Sequence, residues 1–67
     1  MSQPKYPNVS VQLSGEDANA FFMIARTRRA LKRAGVSEDE VQQFTSEAES
    51  GTYDDVITTI GRWVEVY

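Results

Sequence analysis

Cysteine and histidine are both missing from the 67 residues. Without cysteine there is no disulfide, no thiolate metal site and no thiol nucleophile. Without histidine the commonest general base and metal ligand is gone as well. Proline occurs only twice and glycine four times, and no linker, internal repeat or low-complexity tract interrupts the chain. No apolar run approaches the ~20 residues that cross a bilayer. No apolar stretch follows Met1-Ser2-Gln3-Pro4-Lys5, as a signal peptide requires. These absences point to a soluble, cytoplasmic protein with no membrane partner. A chain this short buries only about 60% of its unfolded surface, which limits it to one domain over 1–67 and a thin core. With disulfides and thiolate metal sites excluded, its extra stability must come from well-formed local structure or from association.

What is present is strongly patterned. Residues 1–7, with Pro4 and Pro7, read as an extended lead-in. Val9-Ser10-Val11-Gln12-Leu13 alternates apolar and polar, so a strand over 9–13 turns Val9, Val11 and Leu13 inward. Ser14 and Asp17 resemble a capping box, and a helix follows from about Gly15 to Ala34, stopped by Gly35. Its buried stripe is Ala20, Met23, Ile24, Thr27, Leu31 and Ala34, with Phe21 and Phe22 widening the apolar end. Ser37 and Glu40 form a second capping box, with Val36 and Val41 as a hydrophobic staple, and open a helix over 38–50 carrying Val41, Phe44 and Ala48. Thr52 and Asp55 open a third helix with Tyr53, Val56, Ile57 and Ile60 along one side, weakened at Gly61. Residues 62–67 return to alternation and high β propensity, so 63–66 closes the chain as a strand.

The expected fold is therefore α+β, in the order β-α-α-α-β. An isolated strand is unstable, so the two terminal strands pair in one sheet and the three helices pack on it. The direction of pairing is open. The core is expected to hold Met23, Ile24, Leu31, Phe44, Val56, Ile57 and Ile60 with the inward strand residues.

Four segments resemble a family of small uncharacterised proteins recurring in bacterial, plasmid and phage genomes. They are Tyr6-Pro7-Asn8-Val9-Ser10-Val11-Gln12-Leu13-Ser14-Gly15, Ala30-Leu31-Lys32-Arg33-Ala34-Gly35-Val36, Glu47-Ala48-Glu49-Ser50-Gly51-Thr52-Tyr53-Asp54 and Arg62-Trp63-Val64-Glu65-Val66. The resemblance implies no activity and carries over no functional residue.

Charge is unevenly spread. Net charge is −3, yet the five cations Arg26, Arg28, Arg29, Lys32 and Arg33 lie on the first helix and eight acids lie beyond residue 35. Either the acidic half neutralises the basic helix within the molecule, or that helix offers a basic face to phosphate or an acidic partner. Catalysis has little support. Neighbouring acids such as Asp54-Asp55 and Glu38-Asp39-Glu40 point about 100° apart on a helix and do not converge. Each glycine suits a cap or helix end and none forms a phosphate cradle. No catalytic residue, metal or cofactor is therefore assigned, and the chain reads as a non-enzyme.

Two functions compete. The first is a small interaction or regulatory protein that binds another protein or itself, with a homodimer slightly favoured by two open strand edges. Trp63 and Tyr67, on the outward side of the closing strand, join the five helix cations as its candidate surface, unless Trp63 packs on Tyr6. The second is a nucleic-acid or nucleotide binder that uses the basic face of the first helix. A ribbon-helix-helix repressor is a weaker variant of it. The outward strand residues Asn8, Ser10 and Gln12 bring no cation to bases, a third helix and closing strand have no place in that form, and the pI is ≈ 4.7. A nucleic-acid mimic is weaker still, because the clustered arginines oppose one dominant negative sign.

Overall fold

The computed structural model describes residues 3–13 and 19–67. The element order is β1 (Tyr6–Val11), α1 (Ala20–Arg33), α2 (Glu38–Glu49), α3 (Tyr53–Trp63) and β2 (Val64–Val66). This is the expected β-α-α-α-β arrangement. The two strands pair parallel in one two-stranded sheet. Parallel neighbours need a long crossover between them, and the three helices provide it. Pairing starts at Tyr6 with Val64 and resumes at Ser10 with Glu65, so four residues of β1 advance against one of β2. Pro7, which has no N–H to give a ladder, lies inside that irregularity. Backbone bonds extend the pair at both ends: Lys5 N–H donates to Arg62 O at 2.8 Å and Leu13 N–H to Tyr67 O at 2.8 Å.

The strand boundaries differ from those expected. β1 begins at Tyr6 and ends at Val11, not over 9–13, so Tyr6 and Pro7 belong to the sheet rather than to a lead-in. Pairing with β2 overrides the weak strand propensity of proline there. Val9 and Val11 are buried as alternation requires, whereas Leu13 is half-buried beyond the strand.

Helix α1 starts at Ala20, capped by Asn19, whose Oδ1 accepts from Phe21 N–H at 2.8 Å. Asparagine caps as well as serine does. The Ser14–Asp17 box lies outside the described residues. The helix buries Met23, Ile24, Thr27 and Leu31. Phe22 stands roughly opposite that stripe at 100° per residue, and Phe21 about a right angle from it. Both are therefore exposed, at 59% and 77%, instead of widening the core. Ala34 serves as C-cap and is exposed, not part of the stripe. Gly35 follows with φ of 86°. Its N–H donates to Lys32 O and Val36 N–H to Leu31 O, both at 3.1 Å, which is the Schellman closure that a left-handed glycine permits.

Helix α2 opens on Ser37, whose Oγ accepts from Glu40 N–H at 3.3 Å. The reciprocal half of that box is not made, because the Glu40 carboxylate turns to Lys5 and Tyr6 instead. Helix α3 opens on a complete Thr52–Asp55 capping box. It does not end at Gly61 but runs to Trp63. Nothing lies within 4 Å of where a Cβ on Gly61 would sit, so this glycine is a weak helix residue on an open face, not a stop. The strand that follows is accordingly Val64–Val66, and Trp63 belongs to the helix. The buried side of α3 is Val56, Thr59, Ile60 and Trp63, a spacing of three, four and seven. Tyr53 is 46% exposed and Ile57 only half-buried.

The core unites Val9, Val11 and Val64 of the strands with Met23, Ile24 and Leu31 of α1, Val41, Phe44 and Ala48 of α2, and Val56, Ile60 and Trp63 of α3. Leu31, Phe44, Val41 and Ile60 have no exposed surface. Thr27 is also sealed, and its Oγ1 donates back to Met23 O at 2.9 Å, which satisfies the hydroxyl. A Leu31→Ala change is expected to cost about 2–5 kcal/mol. Ile57→Ala costs less, since part of that side chain is already wet. Chemical denaturation of the two variants checks this, and equal losses would show that the phase of α3 is wrong.

Candidate functional site

Trp63 has a place that the alternation of 62–67 concealed. It is 4% exposed, so it offers nothing to a partner. Its ring stacks on Tyr6 with centroids 6.0 Å apart and 25° between planes, and meets Phe44 edge-on at 5.6 Å. Its indole N–H donates to Glu47 Oε1 at 3.0 Å. The Lys5 ammonium lies 4.6 Å from the Trp63 ring centroid, within cation–π range. Lys5 also pairs with Glu40 Oε1 at 2.6 Å, and the Tyr6 hydroxyl donates to the same oxygen at 2.9 Å. These residues form a latch that ties the start of β1 to α2 and to the end of α3.

The latch sets the titration of its members. Hydrogen bonds from Lys5 and then Tyr6 hold the Glu40 carboxyl below its ordinary value of 4.5. The Trp63 and Gln43 side chains do the same for Glu47. The Glu40 hydrogen bond raises Lys5 above 10.5 and raises the Tyr6 phenol. This is structural chemistry: every group has a partner that explains it. Among the described residues, no group of three or more His, Cys, Asp or Glu is placed to hold a metal ion. No helix there is long and apolar enough to cross a membrane.

The basic residues make a different arrangement. Arg26, Arg29 and Arg33 follow one another at three and four residues and share one side of α1 with Phe22, Ala25 and Ala30. Against that side lie Ser10, Val11 and Gln12 of β1 and its extension, and Tyr67 beyond β2. Together these residues line a groove of about 440 Å³. Among the described residues that line it, none is acidic. Phe22 and Tyr67 stand at it 59% and 64% exposed. Arg28 and Lys32 occupy the neighbouring strip of the helix, with Arg28 half-buried and its Nε buried without a hydrogen-bond partner.

Neutralisation of the basic helix by the acidic half does not occur for most of these cations. Among the described residues, Arg28, Arg29, Lys32 and Arg33 take part in no ion pair. Lys5, outside that helix, pairs with Glu40 of α2. Of the seven residues singled out from the sequence, the fold brings Arg26, Arg29, Arg33 and Tyr67 to one groove. It leaves Arg28 and Lys32 beside that groove and removes Trp63 to the interior. Phe22, Ser10 and Gln12 are groove residues that sequence reasoning assigned elsewhere. The signal for Phe22 was its spacing of four, seven and eleven to Arg26, Arg29 and Arg33, which places it on their seam rather than on the buried stripe.

Comparison of the chain with known protein families, with curated proteins and with solved structures finds no match in any of the three.

Acid should weaken the latch. Glu40 and Glu47 have folded values below their unfolded ones, so their contribution is complete above about pH 4.5 and is lost as pH falls through the lower folded values. Lys5 has the opposite sign: its contribution is complete below 10.5 and is lost as pH rises past its raised folded value. Glu40→Gln is expected to flatten the acid limb of a stability–pH curve without removing it, because Glu47 keeps its own share. An acid limb identical to that of the unchanged chain would show that the Lys5–Glu40 contact carries no stability.

Proposed function

We propose that this is a small, non-catalytic nucleic-acid-binding protein that works through the basic face of α1. The observation that carries this reading is the groove where Arg29 and Arg33, which take part in no ion pair among the described residues, stand beside Arg26. Phosphate contacts from Arg supply most of the affinity in such binding. The acids of α2 and α3 other than Glu49 are engaged in helix first turns or in the Trp63 latch. The ribbon-helix-helix variant draws no support, because β1 is occupied along one edge by β2 of the same chain.

The test is fluorescence anisotropy with labelled single-stranded and duplex oligonucleotides. At least one is expected to bind and to lose affinity steeply between about 50 and about 200 mM salt. Arg29→Ala with Arg33→Ala should abolish binding, and both side chains are exposed, so the fold should survive. No binding of either probe, or binding indifferent to salt and to the two arginines, overturns the reading.

A second reading, a protein partner with a second copy of this chain included, draws on a different surface. Phe21 is 77% exposed beside a cleft lined by Ala20, Ile24, Ala48 and Val56. Exposed aromatics next to apolar clefts are common anchors of protein interfaces. A homodimer formed there would scatter light as twice the 7.5 kDa chain and would revert to the single mass in Phe21→Ser. A single mass for the unchanged chain at micromolar concentration rejects the homodimer.

A further inference from the structure

We propose that the ligand of the groove is a single strand of nucleic acid, its phosphates on the arginine seam and its bases stacked on Phe22 and Tyr67. This rests on the nucleic-acid reading above and deepens it. Three features of the site suit a single strand.

The first is the pair of aromatic rings. A ring exposed beside a line of cations is the platform on which an unpaired base stacks, and every base has a face to offer. A base inside a duplex is already stacked on both sides and has no face left. Phe22 belongs to α1 and Tyr67 to the far end of the sheet, so the rings come from separate elements and flank the same groove. Tyr67 is held there by backbone, its N–H donating to Val11 O at 3.1 Å and its O accepting from Leu13 N–H. The stacking side chain is therefore presented from a fixed position without being buried.

Length is the second. Seven residues separate Arg26 from Arg33, a rise of about 10 Å along α1. Successive phosphates of an unpaired strand stand roughly twice as far apart as the ~3.4 Å of axis per phosphate in a duplex, so that span meets about two of them. A groove of about 440 Å³ takes a short stretch of strand.

Charge is the third. The chain carries net charge −3, so the remainder of the molecule opposes any polyanion. A duplex presents a charge about every 1.7 Å, twice the density of one strand, and meets twice the opposition. The basic seam is local, and with a Debye length of about 8 Å at physiological salt its attraction acts on what lies within the groove. A strand that enters the groove gains that attraction and keeps most of its length away from the acids.

The experiment is titration of the unchanged chain, by anisotropy, with an oligothymidylate of about ten nucleotides, a duplex of the same length, thymidine monophosphate and a glutamate-only peptide of equal charge. The single strand should bind and the other three should bind at least tenfold more weakly. With about two phosphates neutralised, affinity for the strand should fall about 7-fold between about 50 and about 200 mM salt. Tyr67→Leu and Phe22→Leu should each weaken binding about tenfold. Phe21→Leu, on the same helix, as exposed and outside the groove, should not. Circular dichroism of each variant establishes that the helices are intact.

Duplex bound as tightly as strand, or unchanged affinity in both groove-aromatic variants, overturns the inference and leaves the nucleic-acid reading standing. Monophosphate as tight as the strand also overturns it, since the seam then contributes nothing. Tighter binding of the glutamate peptide, or no binding of any nucleic acid, overturns the inference together with the reading beneath it.

Discussion

The burial of Trp63 is the constraint on which the rest of the structure depends. A chain with so thin a core has few large side chains to spend, and this one sets its only tryptophan where three elements meet. The ring lies between Tyr6 of β1 and Phe44 of α2 at the last position of α3. The indole N–H would cost a buried unsatisfied donor if it had no acceptor, and Glu47 provides one. That hydrogen bond fixes the end of α3 against α2, and the next residue, Val64, starts the strand that pairs with β1. The parallel return of the chain follows from an anchor at the end of a helix, not from a turn. A two-stranded parallel sheet alone is marginal, and this anchor, together with the Lys5–Tyr6–Glu40 cluster, holds its two members in register.

The same anchor explains why the charges remain segregated. Helix α1 carries five cations and no acid, and α2 carries five acids and no cation. Packed side by side, they would be expected to pair. Apart from Glu49, the acids of α2 have other work. Glu38, Asp39 and Glu40 fill its first turn, where the helix dipole favours them. Glu40 and Glu47 turn toward the latch. Meanwhile α1 presents Met23, Ile24, Thr27 and Leu31 to the core, so Arg26, Arg29 and Arg33 lie on its far side, remote from that packed face. Exposed ion pairs contribute little in any case, so folding gains little by arranging them and a basic surface survives beside an acidic one.

Much of the fold was legible because it rests on local chemistry. The alternation of Val9 and Val11, the Gly35 stop, the Ser37 and Thr52 caps and the spacing of Val41, Phe44 and Ala48 each act within a few residues. What failed was decided at a distance. Gly61 suggests a helix end, but the pull on Trp63 carries α3 two residues further, and the phase of its buried side moves from Ile57 to Thr59. Tyr6 and Pro7 suggest a lead-in, but pairing with Val64 makes them strand. Phe21 and Phe22 suggest core, since apolar side chains usually are; the start of α1 at Asn19 and the depth of Met23 and Ile24 turn them outward. The groove was half legible. Its arginines and Tyr67 stand out in the sequence, whereas Ser10 and Gln12 join it only because the fold lays β1 along α1.

The groove and the latch are parts of one device. Ser10 and Gln12 come from the first strand or its extension, the arginines from the first helix and Tyr67 from beyond the last strand, so the groove exists only where both ends of the described chain are held together. Lys5 N–H on Arg62 O and Leu13 N–H on Tyr67 O bracket the strand pair, and the Trp63 latch sits at the first of these brackets. The latch holds the end of α3 to α2, and β2 starts at the next residue. The arginines are carried by α1, whereas Tyr67 is held through its backbone bonds to Val11 and Leu13. The groove thus draws its cations and its terminal aromatic from different parts of the fold, the first helix and the end of the strand pair.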